Sequence, residues 1–150
     1  MKQKASQRLQ TVLNLAQIKE QQAAEKLSGS IRQLALSQQQ EQQLINYKHE
    51  YSQQFKNVAD KAESGTVSAT QLANYQRFYD SLEAAGNTQH EQVELASQQQ
   101  EQARSLWQQH YARYKNMDKL VEKKRQYEVN EAEKKLQREQ DDRRISPQLK

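Results

Sequence analysis

The stretch Ser64-Gly65-Thr66-Val67-Ser68-Ala69-Thr70-Gln71-Leu72 separates two runs of one apolar repeat. On its N-terminal side, alternating steps of four and three residues connect Leu9, Leu13, Ala16, Glu20, Ala23, Leu27, Ser30, Leu34, Ser37, Glu41, Leu44, Lys48, Tyr51, Phe55, Val58 and Ala62. On its C-terminal side the same steps connect Leu72, Tyr75, Tyr79, Leu82, Gly86, Gln89, Val93, Ala96, Gln100, Ala103, Trp107, His110, Tyr114, Met117, Val121 and Lys124. Eleven of the sixteen positions in each run are apolar or aromatic, in a chain that is only 34% hydrophobic. A mean period of 3.5 residues over this length is the pattern of α-helices wound about each other.

The separating stretch carries the chemistry of a helix end followed by a helix start. Gly65 suits the left-handed position that closes a helix. Ser68 with Gln71 three residues on forms a capping box, and Val67 with Leu72 forms the accompanying hydrophobic staple. Helices are therefore predicted over about 2–63 and about 68–145, with a turn over about 64–67 and a stop at Ser146-Pro147. So short a link makes the helices antiparallel. The expected fold is all-α, a single long two-helix antiparallel coiled-coil hairpin over residues 1–150, its first helix ~90 Å long.

The turn also fixes an expected register. Near it, Ala62 faces Leu72, Val58 faces Tyr75, Phe55 faces Tyr79 and Tyr51 faces Leu82. Farther out, Leu27 faces Trp107, Ala16 faces Met117 and Leu13 faces Val121. Small residues meet large ones, as interdigitating layers require. Between these ends the layers are Lys48/Gly86, Leu44/Gln89, Glu41/Val93, Ser37/Ala96 and Leu34/Gln100, and Ser-Gln-Gln-Gln-Glu-Gln occurs at both 37–42 and 97–102. Such polar layers bury little, so a weak waist is expected. The second helix overhangs the first, with only Val129, Ala132, Leu136 and Ile145 apolar beyond Tyr127.

Composition excludes several classes. One Pro and three Gly in 150 residues leave few turns for sheet folds, and a mean hydropathy of −1.24 leaves too little apolar surface for a globular core. The absence of Cys fits a reducing cytoplasm and removes Cys-based metal sites. The first residues lack the apolar block of a signal peptide, and no stretch is long enough to span a membrane. Net charge is +4, and residues 104–150 hold thirteen Lys/Arg against eight Asp/Glu. With acids interspersed, this is first a solvated helix face.

No catalytic constellation is present. His49, His90 and His110 are scattered without ligand spacing, and His110 falls on the seam opposite Ala23 as packing. With no phosphate loop and no enclosed cavity between two slender helices, neither an enzyme nor a cofactor or metal site is expected. The distinctive surface is aromatic: residues 45–51 and 74–82 carry five aromatics on facing stretches. Tyr51, Tyr75 and Tyr79 are seam positions. Tyr47 and Phe78 lie off the seam and are expected to be partly exposed, as partner anchors or as a widening of the seam.

Several motifs in order resemble the flagellar export protein FliJ family, which includes stalk proteins of type III secretion injectisomes. They are the N-terminal Leu9, Ala16, Ala23, Ala24 and Leu27; Leu44-Ile45-Asn46-Tyr47-x-x-Glu50-Tyr51; a Gly-containing turn; Asn74-Tyr75-x-x-Phe78-x-x-x-Leu82; and Arg104-Ser105-Leu106-Trp107 before a charged helix. The resemblance implies a cytoplasmic export component, peripheral to the flagellar basal body at the inner membrane. Its fold would be similar to the central stalk of rotary ATPases. It implies binding and activation of a hexameric export ATPase, a link to the membrane export gate protein, and escort of export chaperones.

On that resemblance Gln40, Leu44, Tyr47, Tyr51, Phe78, Leu82 and Ala85 would face the gate. A further position of that surface, often His in the family, falls on Gln89 beside His90. The basic residues Lys2, Lys4, Arg8, Lys119, Lys123, Lys124 and Arg125 would meet an acidic ring interior. An isolated monomer that does not bind nucleic acid is expected. Two alternatives stay open: a structural coiled coil that self-associates by burying Tyr47 and Phe78, and a basic hairpin that binds nucleic acid through its C-terminal helix.

Overall fold

The computed structural model describes residues 4–145. Two α-helices account for nearly all of them: α1, Ala5–Glu63, and α2, Ala69–Ile145. The fold is all-α, with segments of α1 and α2 packed against each other. The expected stop at Ser146-Pro147, the first residues of the predicted N-terminal helix and the candidate Lys2 lie outside the described residues. Lys4 precedes α1.

The 4-3 repeat is the packing face. All sixteen positions of the first run are wholly or partly shielded from solvent, and so are fifteen of the second. The exception is Lys124, exposed although its step falls on the seam, because a lysine stem lets the ammonium reach water. Contacts divide the chain into two compact units. The terminal unit comprises the described parts of Met1–Ala24 and Leu106–Lys150, and the turn unit is Glu25–Ser105.

In the terminal unit the closed positions are Ser6, Leu13, Ala16, Ala23 and Val121, the last only 2% exposed. The expected layers Leu13/Val121 and Ala16/Met117 fit this. Both members of the first are buried, and both members of the second line one groove. Beyond Glu128, every residue of α2 to Ile145 is exposed, the overhang read from its composition.

In the turn unit α1 closes as its sequence dictates. Gly65 has φ 80°, and the Thr66 and Gly65 amides donate to the carbonyls of Lys61 and Ala62, at 3.0 and 3.1 Å. These two bonds define a Schellman end. The Ser64 and Thr66 hydroxyls also donate to the Lys61 carbonyl, each at 2.7 Å. α2 opens with the reciprocal capping box: the Ser68 amide donates to Gln71 Oε1 at 3.1 Å, and the Gln71 amide to Ser68 Oγ at 3.2 Å. Val67 and Leu72, the two halves of the staple, are both partly shielded.

Two features of this unit add to the sequence reading. First, Tyr51 makes ring contacts besides its expected place opposite Leu82. Tyr51 meets Phe78 at 4.7 Å between centroids and stacks on Tyr75 at 5.5 Å. A knob touches several residues around its hole, so one large ring meets more than one partner across the seam. The expected Phe55/Tyr79 pair does stack, at 6.3 Å. Second, the polar waist is specifically bonded. Ser37 and Ala96 are both buried, and Gln89 Nε2 donates to the Ser37 carbonyl at 3.0 Å. That carbonyl has a second lone pair beyond its helical bond, and small Ser and Ala side chains let the amide reach it.

The turn is sensitive to single residues. A Cβ at Gly65 meets no atom within 4 Å, so Gly65→Ala acts only through the backbone, costing roughly 1–2 kcal/mol at positive φ. Ser68→Ala should cost ~1 kcal/mol through the lost cap. Chemical denaturation followed by circular dichroism should show both losses with the folded helix signal unchanged.

Candidate functional site

Two surfaces follow from the residues singled out by the sequence, one in each unit. In the turn unit, steps of three, four and seven place Gln40, Leu44, Tyr47 and Tyr51 on one side of α1, and Phe78, Leu82 and Ala85 on one side of α2. The rings meet across the helices. Phe78 makes edge contacts with Tyr51 and, at 6.4 Å and 86°, with Tyr47. Tyr47 is nevertheless 47% exposed and Phe78 42%. Partial exposure of both was expected because neither lies on the seam.

The other members of this set play unequal parts. Leu82 is only 8% exposed and lines a groove with Leu44. Gln40 and Ala85 are exposed, and Gln40 Oε1 accepts from Gln89 Nε2 at 3.4 Å. His90 lies between two carboxylates, Glu41 across the seam and Glu94 one turn on, each at 3.3 Å. Burial raises the Tyr51 phenol above its ordinary value, and neighbouring Tyr75 and Tyr47 add to the effect. Lys48 was read only as a seam position. Its ammonium lies 5.5 Å over the Tyr79 ring and 3.8 Å from Glu83.

In the terminal unit, Lys4, Arg8, Lys119, Lys123, Lys124 and Arg125 are all exposed. Arg125 Nη2 donates to Gln10 Oε1 at 2.6 Å. Lys4 and Lys124 are close enough to the Glu128 carboxylate to favour its charged form. That carboxylate is the structural centre of this end. It accepts from the Ser6 hydroxyl at 2.6 Å and from the Ser6 amide at 3.2 Å, so α2 caps the first turn of α1. The first turn of α1 has no acidic residue of its own to meet its unpaired amides.

Trp107 adds a further bond in this unit, donating from Nε1 to Glu20 Oε1 at 3.1 Å while stacking on Tyr111 at 5.3 Å. Lys115 reaches over both the Tyr111 and Tyr114 rings. His110 lines a groove with Ala16 and Met117. Among the described residues no group of three or more His, Asp or Glu is arranged to hold a metal ion, and no helix is long and apolar enough to cross a membrane.

Two long paired α-helices with no strand among the described residues define an all-α helical-hairpin protein. The family described as Flagellar FliJ protein matches residues 5–146, and the chain belongs to that family. Membership makes it a flagellar export component. Neither the curated proteins nor the solved structures contain a match to this chain.

The Glu128 cap gives this end a pH dependence of definite sign. The Ser6 hydroxyl, then the Ser6 amide, hold the Glu128 carboxyl below its ordinary value of 4.5. A depressed folded-state value means that the cap stabilises at neutral pH and is lost as pH falls through that value. The protection factor of the Ser6 amide in hydrogen exchange should therefore fall at acid pH. In Glu128→Ala it should be low at neutral pH already, and nearly independent of pH.

Proposed function

We propose that this protein is a non-catalytic adaptor of the flagellar export apparatus with two protein-binding surfaces. The terminal unit binds the hexameric export ATPase and promotes its activity, and the turn unit engages the membrane export gate protein. Export chaperones are carried as a third class of partner, and the protein works at the cytoplasmic side of the basal body. Family membership supports the setting; the division of labour rests on chemistry in each unit.

One observation carries the gate assignment. Tyr47 and Phe78 contact each other across the two helices yet keep nearly half their surface in water. A monomer gains little by leaving two adjoining rings exposed, whereas rigid aromatic anchors supply contact area at low entropic cost to a complex. Tyr51 and Leu82 fix the orientation of these anchors. Gln40 and Ala85 extend the rim, and Leu44 adds to the floor.

For the ATPase surface the support is electrostatic. Lys119, Lys123, Lys124 and Arg125 project from neighbouring turns, with Lys4 just before α1 and Arg8 in its first turn. An acidic channel wall would attract this set, and added salt would weaken that attraction by shortening the Debye length from its physiological value of about 8 Å.

Two measurements test the reading separately. Tyr47→Ala and Phe78→Ala should leave helix content unchanged and weaken binding to the cytoplasmic domain of the gate protein at least severalfold. Equal binding by both variants and the parent would remove the gate assignment. Charge reversal of Lys123, Lys124 and Arg125 to Glu should reduce stimulation of ATP hydrolysis by the export ATPase while gate binding is retained. Undiminished stimulation would move the ATPase contact elsewhere.

A further inference from the structure

Two paired helices present a flank on either side of their seam, and in the terminal unit the two flanks differ in chemistry. One is polar and closed by the Arg125–Gln10 bond. The other is a shallow groove walled by Val12, Leu15 and Lys19 of α1 and by Arg113 and Met117 of α2. Val12 and Leu15 are 47% and 51% exposed. Steps of seven carry the same flank of α2 from Arg113 to Leu120 and Tyr127, both exposed. In the antiparallel register Val12 falls level with Leu120, and Lys19 with Arg113.

The second pair is the anomaly. Flanking positions of paired helices usually carry opposite charges that bridge the seam. Here two cations line one groove, and among the described residues neither forms an ion pair. An incoming carboxylate placed between them satisfies both. On each wall the apolar and basic members are seven residues apart, ~10.5 Å, or two turns of a helix lying along the groove. A second copy applying the same groove brings no acid, since the positions that form it and continue it, Val12, Leu15 and Lys19 on α1 and Arg113, Leu120 and Tyr127 on α2, are apolar, aromatic or basic, and Asp141 falls on this flank only in the overhang of α2.

We infer that this groove receives an amphipathic helix from a partner protein, with apolar residues on Val12, Leu15 and Leu120 and an acidic side chain between Lys19 and Arg113. This is helix-in-groove recognition with charge setting the register. It is independent of the ATPase surface proposed above, whose residues are a different set.

The test is site-specific photocrosslinking with the full chain in its own cells. Benzoylphenylalanine is placed at Leu15 in the groove and at Gln17 outside it. The expected result is an adduct from Leu15 and not from Gln17. Its captured peptide should carry apolar residues at three- and four-residue steps with an Asp or Glu in register. Lys19→Glu with Arg113→Glu should reduce the yield by roughly fivefold or more while helix content stays at the parent level. If that pair perturbs folding, Lys19→Gln with Arg113→Gln gives the same comparison. No adduct from Leu15, an adduct to lipid or to a second copy, or a yield unaffected by removing the two charges would overturn the inference.

Discussion

Each helix of this protein carries one apolar stripe, and the other helix is what covers it. A stripe of two positions in seven is too narrow to make either helix stable alone in water, where most helical stability comes from packing an amphipathic face. Everything else is arranged around that mutual dependence. The Schellman end at Gly65 and the capping box at Ser68 bring the second stripe back onto the first. Ala16, Ala23, Ser37 and Ala96 keep the approach close.

Because the seam takes so few side chains, the flanks are left with chemistry that the fold does not consume. In the turn unit this surplus is aromatic, where Tyr47 and Phe78 lean on Tyr51 without being enclosed. In the terminal unit it is partly basic and partly apolar. A globular protein would hide such residues in a core, whereas two helices can only display them. Binding function here is thus a property of flanks, and the seam residues act as the rigid backing that sets their spacing.

Much of this was legible in the chain, because periodicity reports which face of a helix is covered. It placed Leu13, Ala16, Val121 and the small Ser37/Ala96 layer on the seam, and Tyr47 and Phe78 beside it. It also exposed the turn, since Gly, Ser and Gln have local rules of their own. What periodicity does not encode is the reach of a side chain. Tyr51 reaches Phe78 and Tyr75, and Gln89 finds a backbone carbonyl as well as the Gln40 amide. Nor does hydropathy register a polar seam position. The apolar repeat runs out at Leu9 and Lys124, yet one more step on each helix reaches Ser6 and Glu128, the pair that holds the end together.

That pair also has a meaning in time. Ser6 and Glu128 are separated by 122 residues, so the start of α1 leaves the ribosome long before its cap has been translated. For most of synthesis the first turn of α1 has unpaired amides and an apolar stripe with nothing to cover it. The nascent chain is therefore most vulnerable to capture or cleavage at its oldest end. Its protection arrives only when the late part of α2 emerges, and a chain truncated before residue 128 never acquires it.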